Sequence, residues 1–211
     1  MKLKILPCVT LLILLSACST KQSNNSHEVT IGTQIWMTEN LGVDYFRNGD
    51  IITQVKSTKE WKKAAKNHQP AWCYYKYNLE NGATYGKLYN WYAVNDSRGL
   101  APEGWHIPTD NEWKLLSNYL GGEDFAGKKM KSTSGWKDNN GNNSSGFNGL
   151  PGGFCSNAGY FDLQGALGCW WSASEGSTDS AYNRYLHRFN GNLNRGNFNK
   201  ALGFSVRCLR D

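Results

Sequence analysis

The chain has 211 residues, of which 39% are hydrophobic, 13% aromatic and 19% charged. Its 9 Trp, 11 Tyr and 8 Phe are too many for a disordered chain, and 23 Gly against 5 Pro promise many turns. The net charge is +6, and this composition excludes a coiled coil, a helical bundle and a multi-pass membrane protein. Lys2 and Lys4 open the chain, and an apolar run from Ile5 to Leu15 follows, with the length of a signal-peptide core. It ends in Leu15-Ser16-Ala17-Cys18, the box at which bacterial lipoproteins are cut and lipidated. Residues 1–17 therefore read as a signal peptide and Cys18 as the lipidation site. Each buried lipid methylene contributes about 0.8 kcal/mol, so a multiply acylated Cys holds a membrane firmly. Ser19 is not an acidic retention residue, which directs the expectation to the outer membrane of the bacterial envelope, periplasmic or surface-facing. Losing Lys2 and Lys4 leaves 21 cationic against 17 acidic residues, a net +4.

Residues 18–28 read as lipidated Cys and polar tether, and one domain fills 29–211. VTIGTQIWM alternates and reads as a strand or a hairpin about Gly32, and FRNGD carries an Asn-Gly turn. Ser57–Lys66 reads as a helix with Glu60 placed to complete a capping box. AWCYYKYN, 71–78, reads as a strand, with Asn81-Gly82 turning the chain back into TYGKLYNWYAV. In PTDNEWKLLSNYLGG, Thr109 and Glu112 form a capping box, and Trp113, Leu116 and Leu120 share one helical face. A second short helix covers Asp124–Lys131. From Ser132 the expectation is loops and short strands, with DNNGNNSSGFNGLPGG an ordered loop and ALGFSVRCLRD a closing strand. The fold class is α+β, with a mixed, mostly antiparallel sheet, two main helices and long ordered loops.

Cys8 leaves with the signal and Cys18 is lipidated, so Cys73, Cys155, Cys169 and Cys208 remain. An even number in an oxidising compartment reads as disulfides, with three pairings open. The favoured pairs are Cys155–Cys169, closing a Gly-rich excursion, and Cys73–Cys208, tying the last strand to an early one. A zinc site lacks the close CxxC spacing.

The runs IGTQIWMTENL, NGATYGKLYNWYAVND, GLAPEGWHIPTDNEW, LPGGF, WWSASE and GFSVRC, in this order, closely resemble the Fibrobacter succinogenes major paralogous domain, a family of secreted proteins and lipoproteins. The resemblance spans roughly 29–211. It implies a C-type-lectin-like fold in the variant shared with formylglycine-generating enzymes, where a helix start like Pro108-Thr109-Asp110-Asn111-Glu112-Trp113 is a landmark. It implies no activity. Sugar-binding C-type lectins place Glu-Pro-Asn or Gln-Pro-Asp in one loop and Trp-Asn-Asp on a strand. This chain has Gln69-Pro70-Ala71 and Val94-Asn95-Asp96, so calcium has no motif behind it, and no cofactor or metal ligand is assigned.

No GxSxG, HExxH, P-loop or dinucleotide fingerprint is present, so no catalytic residue is named. Glu112 is accounted for by its cap, and His106 reads as a packed residue. The segment Tyr182–Asn199 is the most suggestive, because Tyr and Arg make adaptable contacts and Asn supplies donors and acceptors. The candidate ligand contacts are Trp171, Tyr182, Arg184, Tyr185, Arg188, Asn190, Asn192, Arg195 and Asn197. The alternative for this stretch is a plain meander with aromatics inward and Asn and Arg in water. From Tyr182 onward six cations face Asp211 alone, a local +5 that suits anionic glycans, lipid head groups or a partner protein. Nothing points to nucleic acid, and the sequence sets no oligomeric state. The expected function is a lipid-anchored, non-enzymatic module that binds a glycan or protein. The alternatives are an enzyme acting on cell-wall or polysaccharide material, using His106, Glu112 or Glu175, and a structural envelope component.

Overall fold

A computed structural model describes residues 27–138 and 141–211. The signal segment, Cys18 and the tether through residue 26 lie outside the described residues. Among those described, no helix is long and apolar enough to cross a membrane.

The expected first hairpin forms. β1 (Glu28–Ile31) pairs antiparallel with β2 (Gln34–Met37), with Val29 opposite Trp36 and Gly32 at φ 64° in the turn. The chain returns at its end to this hairpin, because β12 (Leu209–Arg210) inserts between β2 and β6 (Trp105–His106). FRNGD turns as expected, with the Phe46 N–H donating to the Asp50 carbonyl at 2.9 Å.

β3 (Thr53–Gln54) runs parallel to β4 (Ala71–Cys73), the exception in a mostly antiparallel molecule, and β5 (Leu88–Tyr89) pairs antiparallel with β4. The β3–β4 crossover is α1 (Thr58–Lys66), which a parallel connection requires. Ser57 caps α1 by accepting from the Glu60 N–H, while the Glu60 carboxylate accepts from Lys56, one residue before the expected position. Trp61 and Ala64 face the core.

Two local readings between 71 and 85 are corrected. The strand stops at Cys73, and Lys76 and Tyr77 take left-handed backbone (φ 55° and 56°), which ends extended pairing. Asn81-Gly82 is not a turn. It lies inside α2 (Leu79–Tyr85), where the Asn78 side chain accepts from the Glu80 N–H. Gly82 is needed there because a β-carbon would stand 2.2 Å from the Tyr74 ring. A short α3 (Trp91–Val94) follows β5.

α4 (Asp110–Tyr119) begins with the complete Thr109/Glu112 capping box, and α5 (Glu123–Met130) follows. Trp113, Leu116 and Leu120 are buried, as their spacing predicts. They join Trp36, Phe147 and Trp170 in one cluster, with the Trp36 and Trp113 rings 4.8 Å apart. Each such ring removes enough apolar surface from water to contribute about 2–3 kcal/mol.

Beyond Ser132 the described parts of the Asn/Gly segment are ordered, with the Asn142 N–H donating to Lys128 and the Asn148 N–H to the Asn143 side chain. β7 (Phe154–Cys155) and β8 (Phe161–Asp162) form a small hairpin. The strands after it are not short. β9 (Leu167–Ser177), β10 (Ser180–His187) and β11 (Leu193–Asn199) make an antiparallel meander against which α4 and α5 pack. The closing segment is no alternating strand either. Residues 203–209 are buried throughout, bridging β5, β7 and β9 before β12.

The cysteine pairs also differ from expectation. All four described thiols are free and buried. Cys73 and Cys155 lie in the cluster around Trp61, whereas Cys169 and Cys208 lie in the central one. Neither expected pair shares a cluster.

Candidate functional site

The 182–199 segment divides into two faces because β10 and β11 alternate. Tyr182, Arg184, Arg195 and Asn197 project toward α4 and α5, and Tyr185 and Phe198 to the other side. Arg184 is corrected as a ligand contact. It is 1% exposed, with its Nη2 3.0 Å from Asp110 Oδ1 and its Nη1 2.7 Å from Glu123 Oε1. Arg195 Nε meets Asp110 Oδ2 at 2.9 Å, and its guanidinium stacks 3.8 Å over Tyr182. Trp171 is also corrected. It is fully buried, and its Nε1 donates to the Tyr89 carbonyl. Asn190 and Asn192 build the β10–β11 loop. The Asn190 side chain accepts from the Asn192 N–H, and the Asn192 amide donates to Asp124 of α5. Arg188 lies 3.2 Å from Asp138, and Asn197 is exposed beside Gly176.

The local +5 loses its meaning as a free cationic surface. Arg184 and Arg195 meet acids of α4 and α5, Arg188 meets Asp138, Lys200 pairs with Glu175, and Arg210 with Glu28. Arg207 is fully buried. It donates to the Met37 carbonyl (3.0 Å), the Phe147 carbonyl and Asn40 Oδ1 (2.8 Å), and burial pushes its pKa down to about 9. Asn40 also accepts from Trp170 Nε1 and donates to the Tyr85 carbonyl and Ser205 Oγ. Asn40, Tyr85, Trp170, Ser205 and Arg207 belong to four of the runs that carry the family resemblance. Those runs converge on a buried scaffold joint.

Of the three residues named for catalysis, His106 and Glu112 meet and Glu175 does not join them. His106 Nδ1 lies 2.7 Å from Asp211 and its Nε2 3.0 Å from Glu112, whose other oxygen accepts from Thr109. Burial lowers the His106 pKa, but the two carboxylates outweigh it and raise the value above 6.5. Glu175 is elsewhere, paired with Lys200. Among the described residues, no three His, Cys, Asp or Glu side chains group as a metal would need.

Two concavities hold what these clusters do not. The smaller, about 280 Å³, is apolar and lined by Phe154, Leu163, Leu167, Cys169, Tyr185, Phe198, Leu202 and Phe204, so Tyr185 is the nominated residue that reaches it. The larger is a groove of about 560 Å³ that sequence reasoning missed. Asp44, Tyr45, Ile51, Ile52, Gln54, Lys56, Trp72, Tyr74, Tyr77 and Leu79 line it. Its floor is Trp72, tilted edge-on to Tyr74 at 5.1 Å. Lys87, buried beneath, holds its ammonium 3.8 Å over Trp72 and pairs with Asp44. Burial lowers the Lys87 pKa while Asp44 raises it, and burial prevails. On the rim Tyr45 is 54% exposed, Ile51 73% and Leu79 68%. The left-handed Lys76 and Tyr77 shape one wall, and Tyr77 is anchored through its hydroxyl to the Gly159 carbonyl at 3.1 Å. Unpaired apolar side chains around a partly polar concavity are the usual surface signature of a binding site. The available signal was Tyr45 and Ile51 flanking the polar Asn-Gly turn, where no core position calls for them.

No curated protein and no solved structure is significantly similar to the chain. The family model of the Fibrobacter succinogenes major domain matches residues 29–210, nearly the whole described fold. The chain belongs to the Fibrobacter succinogenes major domain family.

Proposed function

We propose that the chain is a lipid-anchored, non-enzymatic binding module of the bacterial envelope, on a C-type-lectin-like fold, that takes a glycan in the groove beside Tyr45. The observation that carries the reading is the groove's composition. Tyr45, Tyr74 and Tyr77 line it with the aromatic rings on which the apolar sides of sugars stack, and Asp44, Gln54 and Lys56 line it with acceptors and donors for hydroxyls. The signal run and the Leu15–Cys18 box support the anchor and the outer-membrane address. The α+β layout with long ordered loops supports the lectin-like fold.

The test is a glycan array probed with the chain from residue 19, in calcium and in EDTA, repeated with the Tyr45→Ala/Ile51→Ala variant. Binding that survives EDTA and falls at least tenfold in the variant is expected. Binding abolished by EDTA, or indifferent to the variant, overturns the groove reading. No binding to any glycan overturns the glycan ligand and directs the groove to a protein.

A further inference from the structure

Cys73 closes β4 and Cys155 closes β7, two strands that do not pair with each other. Both side chains are fully buried in the cluster of Val55, Trp61, Ala71 and Leu88. They are neighbours there: after burial, Cys155 is the group that acts on the Cys73 thiol, raising its pKa. The Cys155 thiol donates to the Ser156 carbonyl at 3.6 Å. The backbone fixes Cys155 in this cluster. The Cys155 N–H donates to the Gly203 carbonyl at 2.9 Å, and the Gly203 N–H to the Cys155 carbonyl at 2.8 Å. Gly203 permits the approach, since a β-carbon there would stand 2.9 Å from Cys155 Cβ. Among the described residues, no other cysteine acts on Cys169 or Cys208 in this way. They lie in the central cluster, and the groups that act on them are burial and, for Cys208, Arg207.

We propose that Cys73 and Cys155 form a disulfide in the mature protein, and that Cys169 and Cys208 stay reduced. The bond ties the β3–β4–β5 sheet to the β7–β8 hairpin, which the backbone joins only through the closing segment. A disulfide needs its sulfurs about 2.05 Å apart, and two neighbouring thiols buried in one small cluster can reach that by side-chain rotation. The oxidant is a small or protein disulfide. One cysteine thiolate attacks the oxidant's S–S bond and releases one thiol. The second cysteine attacks the mixed disulfide and releases the other, so two protein thiols are oxidised and one disulfide is reduced to two thiols. Attack requires a thiolate, and burial disfavours thiolates. Closure therefore occurs during folding, before Trp61 and Leu88 seal the cluster. The extracytoplasmic reading matters here only as the source of oxidant, and a test that supplies the oxidant separates the two.

A chain of residues 19–211 retains every described element. It is reduced in denaturant and refolded in oxidised and reduced glutathione. Remaining thiols are alkylated with N-ethylmaleimide in denaturant, and peptides are mapped without reduction. The expected map has one linked pair, Cys73 with Cys155, and alkyl groups on Cys169 and Cys208. The folded reduced protein given the same glutathione forms the pair at least tenfold more slowly. In Cys73→Ser refolded alongside, Cys155 is expected alkylated. Four alkylated cysteines after oxidative refolding overturn the proposal, as does any bridge to Cys169 or Cys208 in either protein.

Discussion

The β10–β11 strip and the Tyr45 groove are built from the same kinds of residue, yet they spend them differently. On the strip, Arg184 and Arg195 converge on Asp110, Glu123 completes the set, and Tyr182 lies under a guanidinium. In the groove, Asp44 is paired with Lys87 from below, but Tyr45, Ile51 and Leu79 stand exposed to water. An adaptable residue type becomes a binding residue only where the fold leaves it without an internal partner. A helix start carrying Asp110 lies opposite the strip, and none of the described residues covers the groove.

The sharpest way to break this comparison is Arg184→Ala. Arg184 is buried, and its removal takes away its bonds to Asp110 and Glu123 while Asp110 keeps Arg195 and Glu123 stays half in water, so a loss of about 2–3 kcal/mol is expected in chemical denaturation. Ligand capture by the protein that remains folded is expected to be unchanged, and a matching loss of affinity would make the strip part of the site. Next in size is the groove itself. Tyr45→Ala with Ile51→Ala removes exposed side chains, so stability is expected to move by only about 0.5 kcal/mol per site. A tenfold loss in glycan affinity corresponds to about 1.4 kcal/mol. A cooperative loss of fold in this variant would show that the rim is core, not contact surface.

His106 probes a case between these extremes, an ion-paired group facing water. Its folded pKa is raised above the unfolded 6.5, so its contribution is full below about pH 6.5 and is lost as pH rises through the folded value. His106→Gln is therefore expected to lower the Tm more at pH 5.5 than at pH 8.5. The difference should be under about 1 kcal/mol, because Asp211 and a third of the His106 side chain are in water. An equal loss at both pH values would make its role purely one of packing. The smallest expected effect is at Arg210, whose pair with Glu28 is largely exposed. Arg210→Ala should change stability by less than about 0.5 kcal/mol, and a larger change would mean that the ends of the chain hold the terminal sheet together through charge.

Readability from sequence followed the range of the interaction. The Thr109/Glu112 box, the Trp113–Leu116–Leu120 face, the Gly32 hairpin and the Ser57 cap all formed. Each depends on neighbours within a few residues. The same local reasoning failed at Asn81-Gly82, because its strongest contact is the Tyr74 ring, placed by two left-handed residues that nothing in AWCYYKYN announces. It failed for the cysteines because spacing measures loop length and not which cluster a strand faces. It selected Trp171 and Arg184 for their chemistry, and burial removed both.

By itself the sequence determined the α+β class, the main caps and helix faces, and the family, whose rare runs meet at Asn40 and Arg207 in a joint that holds the scaffold. Those features rest on local periodicity, capping chemistry and residue identity, all of which survive in a linear string. The tertiary structure alone decided which cations were already neutralised, which thiols met and which aromatics remained in water. Each of these depends on what lies opposite a side chain, and for Arg184 and Asp110, 74 residues apart, that is settled only when β10 packs against the start of α4.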